Sequence, residues 1–289
     1  MIIKIQIING IHEREDIIMK RRMATALVAA VMTASFIGTM CMAAEATTFN
    51  VGFDAAYPPY GYMDENGEYT GFDLELAQAV CELQGWELIT TPIDWDSKDM
   101  ELNSGAIDCI WNGFTINGRE DDYTWSVPYV DNSQVVVVAE ASGIEDLAGL
   151  SGKIVGVQAA SAALELLSEG GDQADLAATF SMLQQYPEYN SAFLELAAGS
   201  IDAVAMDIGV AQYQLKEKEG FMILEETLNS EQYGIGFRLE DEELRDTVNE
   251  ALFTLLEDGT FDELAEKYEL SDMVCLAESA PEAETEAAE

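Results

Sequence analysis

Apolar residues along the chain switch repeatedly between the short runs of a strand and the three-to-four spacing of a helix. Phe49–Phe53 (FNVGF) predicts a strand, and Asp54 to Tyr60 a loop stiffened by Pro58 and Pro59, with Gly67 at a second turn. Phe72, Leu74, Leu76, Ala77, Val80, Cys81 and Leu83 then fall on one helical face, which Gly85 closes. Glu87 to Ile93 predicts the next strand, residues 99–105 a helix and 106–111 a third strand, with extended segments at Tyr123–Val127 and Gln134–Ala139. A similar series restarts at Lys153–Val157 after a glycine-rich connector, Gly143–Gly152, and continues into a helix at Ala162–Glu169. Tyr233–Phe237 is extended again, and two amphipathic helices follow at Glu240–Leu256 and Thr260–Tyr268, parted by Gly259. This alternation predicts an α/β fold of mostly parallel sheets.

One phrase occurs twice. Leu102–Ile110 (LNSGAIDCI) and Leu196–Val204 (LAAGSIDAV) share Leu-x-x-Gly-x-Ile-Asp-x-Ile/Val. The pattern is that of a helix's last apolar turn, a glycine at its C-terminal cap and a short buried strand. A chain carrying it twice is expected to have two similar halves. The residues after each strand, Asn112 to Thr115 and Met206 to Asp207, would then emerge at equivalent sheet edges, where open α/β sheets bind ligands. Closing a helix and starting a strand is the plain alternative reading of the same phrase.

The ends narrow the function. Met19-Lys-Arg-Arg-Met begins a basic segment, Ala24–Met40 is an apolar run, and Ala44-Glu-Ala46 fits a small-residue cleavage site, so residues 1–46 are expected to be an export leader. Glu15-Asp16 can be encoded by a purine-rich stretch placed like a ribosome-binding site, which puts the expected start at Met19. An exported precursor still containing Glu13 in a mass spectrum would contradict that start. Cys41 is a candidate lipid anchor, although Met40 is bulky for such a cleavage site. Residues 278–289 (ESAPEAETEAAE) are expected to form a disordered acidic tail.

With 13 Lys and Arg against 55 Asp and Glu, the net charge of −42 excludes general affinity for nucleic acid and makes each cation conspicuous. His12, the only histidine, lies in the leader, which removes His-dependent nucleophilic schemes and His-containing zinc sites from the remainder. No glycine-rich phosphate loop is present, and neither a metal nor a cofactor is expected. Cys81, Cys109 and Cys275 lack paired spacing and are expected to be free, buried thiols.

Gly71-Phe-Asp-Leu-Glu-Leu76 with Val80-Cys81, Asn112-Gly-Phe-Thr115 ahead of Arg119, Gly152–Gln158, Ala203–Asp207 and Gly259-Thr-Phe-Asp262 are in the order found in a known family. Over about Phe49 to Leu270 the chain resembles the family 3 bacterial extracellular solute-binding proteins, the amino-acid receptors of ABC importers. The resemblance implies the two-lobed type II periplasmic-binding-protein fold, with lobe 1 at 47–133 and 237–277, lobe 2 at 139–232, and hinge strands at 134–138 and 233–236. Ligand would bind between the lobes, which close over it.

A free amino acid brings a carboxylate and an ammonium group, each costly to bury without a partner. Arg119 suits the carboxylate through its paired donors, and its alternative role is a surface ion pair. The family spaces this arginine five residues from the threonine, whereas Thr115 to Arg119 is four; Gly118 offers the turn a left-handed conformation to adjust. Asp207 matches the family position that holds the ammonium, and could instead cap the helix that begins at Ile208. Ser161 would start a helix whose free N–H groups favour a carboxylate. Asn112, Gly113 and Thr115 would add polar groups from lobe 1. Tyr57 and Trp95 match aromatic walls, or else are core; Asp54 would meet a polar or cationic side chain, or else stabilise its turn.

The reading is of an exported, monomeric, non-enzymatic receptor that binds a polar or cationic amino acid and delivers it to membrane permease subunits. A catalytic relative dehydrating a small carboxylate and a sensor docking a membrane receptor are the alternatives.

Overall fold

The computed structural model describes residues 47–216 and 218–280. The expected leader, the Met19 start, Cys41 and residues 281–289 of the tail lie outside the described residues. The strands, numbered along the chain, are β1 Thr48–Phe53, β2 Ala56–Tyr57, β3 Gly61–Met63, β4 Tyr69–Thr70, β5 Glu87–Pro92, β6 Cys109–Thr115, β7 Thr124–Trp125, β8 Val130–Asn132, β9 Gln134–Ala139, β10 Ile154–Gln158, β11 Met182–Tyr186, β12 Ala203–Asp207, β13 Phe221–Ile223 and β14 Glu231–Phe237.

Two sheets carry the fold, in the orders β5-β1-β6-β14-β7 and β11-β10-β12-β9-β13, with β8 pairing on β14. Their first three strands run parallel, and the fourth and fifth are antiparallel to their neighbours. The two halves anticipated from the repeated phrase are thus two sheets of one plan. β9 follows lobe 1 in the chain but pairs within lobe 2, and β14 makes the reverse exchange. Residues 134–138 and 233–236 are therefore strands inside the sheets. The change of lobe falls at Ser133, between β8 and β9, and at Asn229–Ser230, where the Gln134 N–H donates to Asn229 Oδ1 at 3.0 Å and joins the two crossings.

The phrase has a job in each lobe. Gly105 caps its helix and Gly199 follows the cap residue Ala198 of the other, both in the left-handed region at φ 77° and 71°. Asp108 Oδ2 accepts the Asn50 N–H of β1 at 2.8 Å, and Asp202 Oδ2 accepts the Ile154 N–H of β10 at 2.9 Å. The carboxylate thereby pins the incoming strand to its parallel neighbour. β6 is longer than the sequence predicts: Asn112–Thr115 lie within it, because Gly234 and Tyr233 of β14 pair with Phe114 and Thr115.

Alternation along β9 and β12 sets the packing. Val135, Val137, Val204 and Met206 face the core shared with lobe 1, while Val136, Val138, Ala203 and Ala205 face a second core beneath lobe 2. The helices Phe72–Gln84, Glu242–Glu257 and Thr260–Lys267 cover lobe 1, with Phe72 edge-on to Phe261 at 5.7 Å between ring centres. Cys81, Cys109 and Cys275 are free and buried. The tail begins later than expected: Glu278 and Ser279 complete a 3-10 turn, and the Ser279 hydroxyl donates to the Pro128 carbonyl. No described helix is long and apolar enough to cross a membrane.

Candidate functional site

Between the sheets lies a cavity lined by Tyr57, Trp95, Gly113, Phe114, Thr115, Arg119, Gln158, Ser161, Ala162 and Asp207. Seven of the nine residues expected at a ligand site meet there. Its free volume is about 10 Å³, room for roughly one water, so an amino acid enters only if the lobes part.

Asp207 ends β12 at the N-cap position of the helix Ile208–Leu215, but its side chain makes no capping bond. It turns instead toward the crossings, where Oδ1 accepts from Asn132 Nδ2 (2.8 Å), Gln134 Nε2 (2.5 Å) and the Tyr233 hydroxyl (2.6 Å). Oδ2 has the Tyr189 hydroxyl at 3.2 Å. Burial pushes the Asp207 carboxyl up to about 6, helped by the charge of Glu231 and opposed by the tyrosine and glutamine donors. A buried carboxylate with one lightly used oxygen is suited to an ammonium group.

Arg119 is 6 % exposed and reaches the cavity through the Ile116–Arg119 turn, in which Gly118 adopts φ 83°. Its Nη1 donates to the Thr115 carbonyl at 3.2 Å, while Nε and Nη2 donate to Glu165 Oε1 of lobe 2 at 3.2 and 2.6 Å. The guanidinium is thus both a cavity residue and an ion-pair partner, and the half-exposed Glu165 carboxylate shows that it accepts an oxyanion from the facing lobe.

Gly113 is held at φ 55° with its N–H donating to buried Asp73 at 2.6 Å; a Cβ there would stand 2.9 Å from the Tyr57 and Tyr233 rings. Thr115 donates its hydroxyl to Glu231 at 2.8 Å, which leaves its oxygen lone pairs for a donor in the cavity. Ser161 caps the helix Ala162–Leu167, accepting from the Leu164 N–H and donating to the Gln158 carbonyl, so its hydroxyl is committed while it lines the wall. Ala160 adopts φ 54°. Trp95 stands edge-on to Phe114 at 5.5 Å, with Lys98 Nζ over its ring at 5.4 Å from the ring centre.

Asp54 and Asn112 do not line this cavity. Asn112 Oδ1 accepts the Asp54 N–H at 2.5 Å and braces the turn after β1. Asp54 accepts from the Ala56 N–H and from Gln158 Nε2 across the lobes, at 2.8 and 2.7 Å. It borders a more open pocket of about 570 Å³ that also presents Asp94, Glu101 and Glu188. Burial raises its carboxyl, against the Ala56 and Gln158 bonds, and Glu188 and Asp94 add to the rise.

Glu165, Lys98, Glu231, Asn132, Gln134, Tyr189 and Tyr233 were not singled out from sequence. Tyr233 and Gln134 open the two recognised extended segments, a positional signal for the crossings; Glu231 sits in a polar stretch and gives none.

The family model of bacterial extracellular solute-binding proteins, family 3, matches residues 49–271. The chain is 30 % identical over 252 residues to the L-cystine-binding protein TcyJ of Escherichia coli (strain K12), covering 85 % of this chain and 92 % of that one. It is 30 % identical over 248 residues to ABC transporter arginine-binding protein 1 of the same organism, covering 84 % and 98 %. Among solved structures, an ABC uptake transporter substrate-binding protein from Streptococcus pneumoniae with bound histidine superposes with a TM-score of 0.73 at 33 % identity, covering 76 % of this chain and 92 % of that one. Two sheets of one plan, a cleft between them and these likenesses together make the chain a member of the family 3 bacterial extracellular solute-binding proteins.

Proposed function

We propose that the protein captures a free amino acid between its lobes and presents it, as a monomer on the outer face of the cell membrane, to the permease of an ABC importer. One observation carries this reading: a single cavity joins a buried carboxylate from lobe 2, Asp207, to a buried guanidinium from lobe 1, Arg119, between the aromatic walls of Tyr57 and Trp95. These are the complements of an ammonium and a carboxylate held a short distance apart. Cystine, arginine and histidine are the ligands named for the relatives above, and all are amino acids.

The side chain is inferred to be polar or cationic. Gln158 separates the cavity from Asp54, and beyond Asp54 the pocket walls carry Asp94, Glu101 and Glu188. A guanidinium or second ammonium directed past Gln158 meets negative charge there, whereas an acidic side chain is repelled. We infer binding without turnover, since the relatives above are named as binding proteins.

A thermal-shift screen of residues 47–289 against the L-amino acids, dipeptides and small carboxylates tests this. A ligand at roughly 100 times its Kd adds about 2.7 kcal/mol to stability. A shift confined to arginine, lysine, histidine or cystine is expected. A response to small carboxylates without any to amino acids would overturn the reading.

A further inference from the structure

Glu231 is buried at the crossings beside Asp207 and does not line the cavity. It is 4 % exposed and belongs to lobe 1, yet its Oε1 accepts from Gln134 Nε2 and Asn132 Nδ2, both at 2.8 Å, and from the Thr115 hydroxyl. Oε2 accepts from Asn229 Nδ2 at 2.9 Å. The same two amide nitrogens donate to Asp207 Oδ1. Two buried carboxylates therefore share two neutral donors, and none of the ion pairs among the described residues reaches either one.

The other groups facing the pair are hydroxyls. Tyr57 comes from β2, Tyr60 from the loop after it, Tyr189 from the helix Tyr189–Ala197, and Tyr233 from β14. Burial holds all four well above the ordinary tyrosine value, so they stay neutral. Arg119 lines the same cavity, but its side-chain bonds go to the Thr115 carbonyl and to Glu165 and not to either carboxylate of the pair. Two ionised carboxylates here would bury two like charges with no cation, an arrangement that favours retaining one proton.

We propose that ligand capture is proton-linked at Asp207, with Glu231 as the buried neighbour that sets the linkage: in mildly acidic solution the shut cavity holds Asp207 protonated, and the ammonium of an incoming amino acid expels that proton to solvent. Glu231 is thus a positioning residue that couples ligand binding to pH. The exchange balances. The carboxyl O–H bond breaks, its proton passes to the buffer, and a ligand N–H donates to Asp207 Oδ2, the oxygen that otherwise has the long Tyr189 bond. The pair together with the ligand's ammonium group carries a net charge of minus one before and after, the ligand's carboxylate being met by Arg119. This inference rests on the reading of Asp207 as the ammonium holder.

The elevation of Asp207 to about 6 sets the window. Calorimetry of L-arginine binding, with L-cystine as the second probe, in two buffers of different ionisation heat counts the protons released. About one per ligand is expected at pH 5 and close to none at pH 7.5, with affinity about tenfold weaker at pH 5. E231Q should cut the release at pH 5 to about half or less.

A second measurement needs no ligand. A carboxyl raised in the folded state binds its proton more tightly there than in the unfolded chain, so its stabilisation is present at low pH and lost as pH rises through about 6. The unfolding midpoint of the wild type should fall over pH 4–7.5 more steeply than that of E231Q. Asp73, pushed up to about 7 by burial, titrates in both proteins and cancels in the difference. Equal heats in the two buffers at pH 5 would overturn the coupling and leave the receptor reading intact, and so would identical stability profiles. No binding of L-arginine, L-lysine, L-histidine or L-cystine at either pH would overturn both.

Discussion

The two lobes use the same pins and present different chemistry at their ends. In each, a left-handed glycine closes a helix, an isoleucine fills the space above a glycine in the first strand, and an aspartate accepts that strand's N–H. The isoleucines make the likeness plain: a Cβ on Gly52 would stand 2.3 Å from Ile107, and one on Gly156 2.7 Å from Ile201. Past the pins the lobes part company. β6 runs on to Thr115, presenting Gly113 and a hydroxyl, with Arg119 one turn later; β12 stops at a carboxylate. The repeated phrase fixes where two strands stop relative to one cleft, and the residues just beyond it decide which ligand group each lobe receives.

The largest expected effect breaks the difference between the ends. Asp207→Ala should weaken amino-acid binding by about 2 to 5 kcal/mol, because the ligand ammonium would be buried against three donors and no charge. Arg119→Ala should fall at the lower end of the same range of about 2 to 5 kcal/mol, since the Glu165 left behind is half exposed and can return to water. Titration calorimetry with the amino acid found by thermal shift measures both. Near-native affinity in either variant would remove that residue from the site. Glu165→Gln is expected to tighten binding by about 0.2 to 1 kcal/mol, freeing Arg119 from an ion pair that solvent already weakens.

The next effect tests the likeness of the lobes. Gly52→Ala and Gly156→Ala each push a methyl into a buried isoleucine and should destabilise the fold by about 1 to 3 kcal/mol in urea unfolding. Gly52 should cost more, because its Cβ meets Ile107 at 2.3 Å and Cγ2 of the same residue at 3.2 Å. A neutral result at one glycine alone would show that the two lobes pack their pins differently.

How much of this was legible in sequence follows from the range of the interactions. The glycines that close the helices and the strands after them were readable because one nine-residue phrase carries both, whereas the bonds of its aspartates to strands 58 and 48 residues away were not. The resemblance brought Tyr57, Trp95, Gly113, Thr115, Arg119, Ser161 and Asp207 to one cavity. It could not set directions: Asn112 turns from the cavity to brace Asp54, and Asp54 faces a different pocket. Glu231 was invisible because its burial depends on partners up to 116 residues away, and Ser230-Glu-Gln looks like any solvated turn. The Arg119–Glu165 pair was hidden for the same reason, since nothing in either neighbourhood specifies the facing lobe.

The smallest effect is the sharpest test of equivalence. Asp108 and Asp202 are each about one-third exposed, each accepts one N–H of the neighbouring strand, and each has a cation near, Arg238 at 3.7 Å and Lys153 at 3.4 Å. Exposure discounts both ion pairs, so the hydrogen bond is what a substitution removes. Replacement by alanine orphans that N–H and should cost about 0.5 to 1.5 kcal/mol in either lobe. Asparagine keeps an acceptor oxygen at the same reach and should cost about 0.5 kcal/mol or less, the worth of an exposed ion pair. The two lobes should therefore give the same ranking and nearly the same magnitudes in urea unfolding. A variant at Asp108 that unfolds the protein while its counterpart at Asp202 is silent would mean that Arg238, which also donates to the Leu102 and Ile107 carbonyls, supports lobe 1 in a way Lys153 does not support lobe 2.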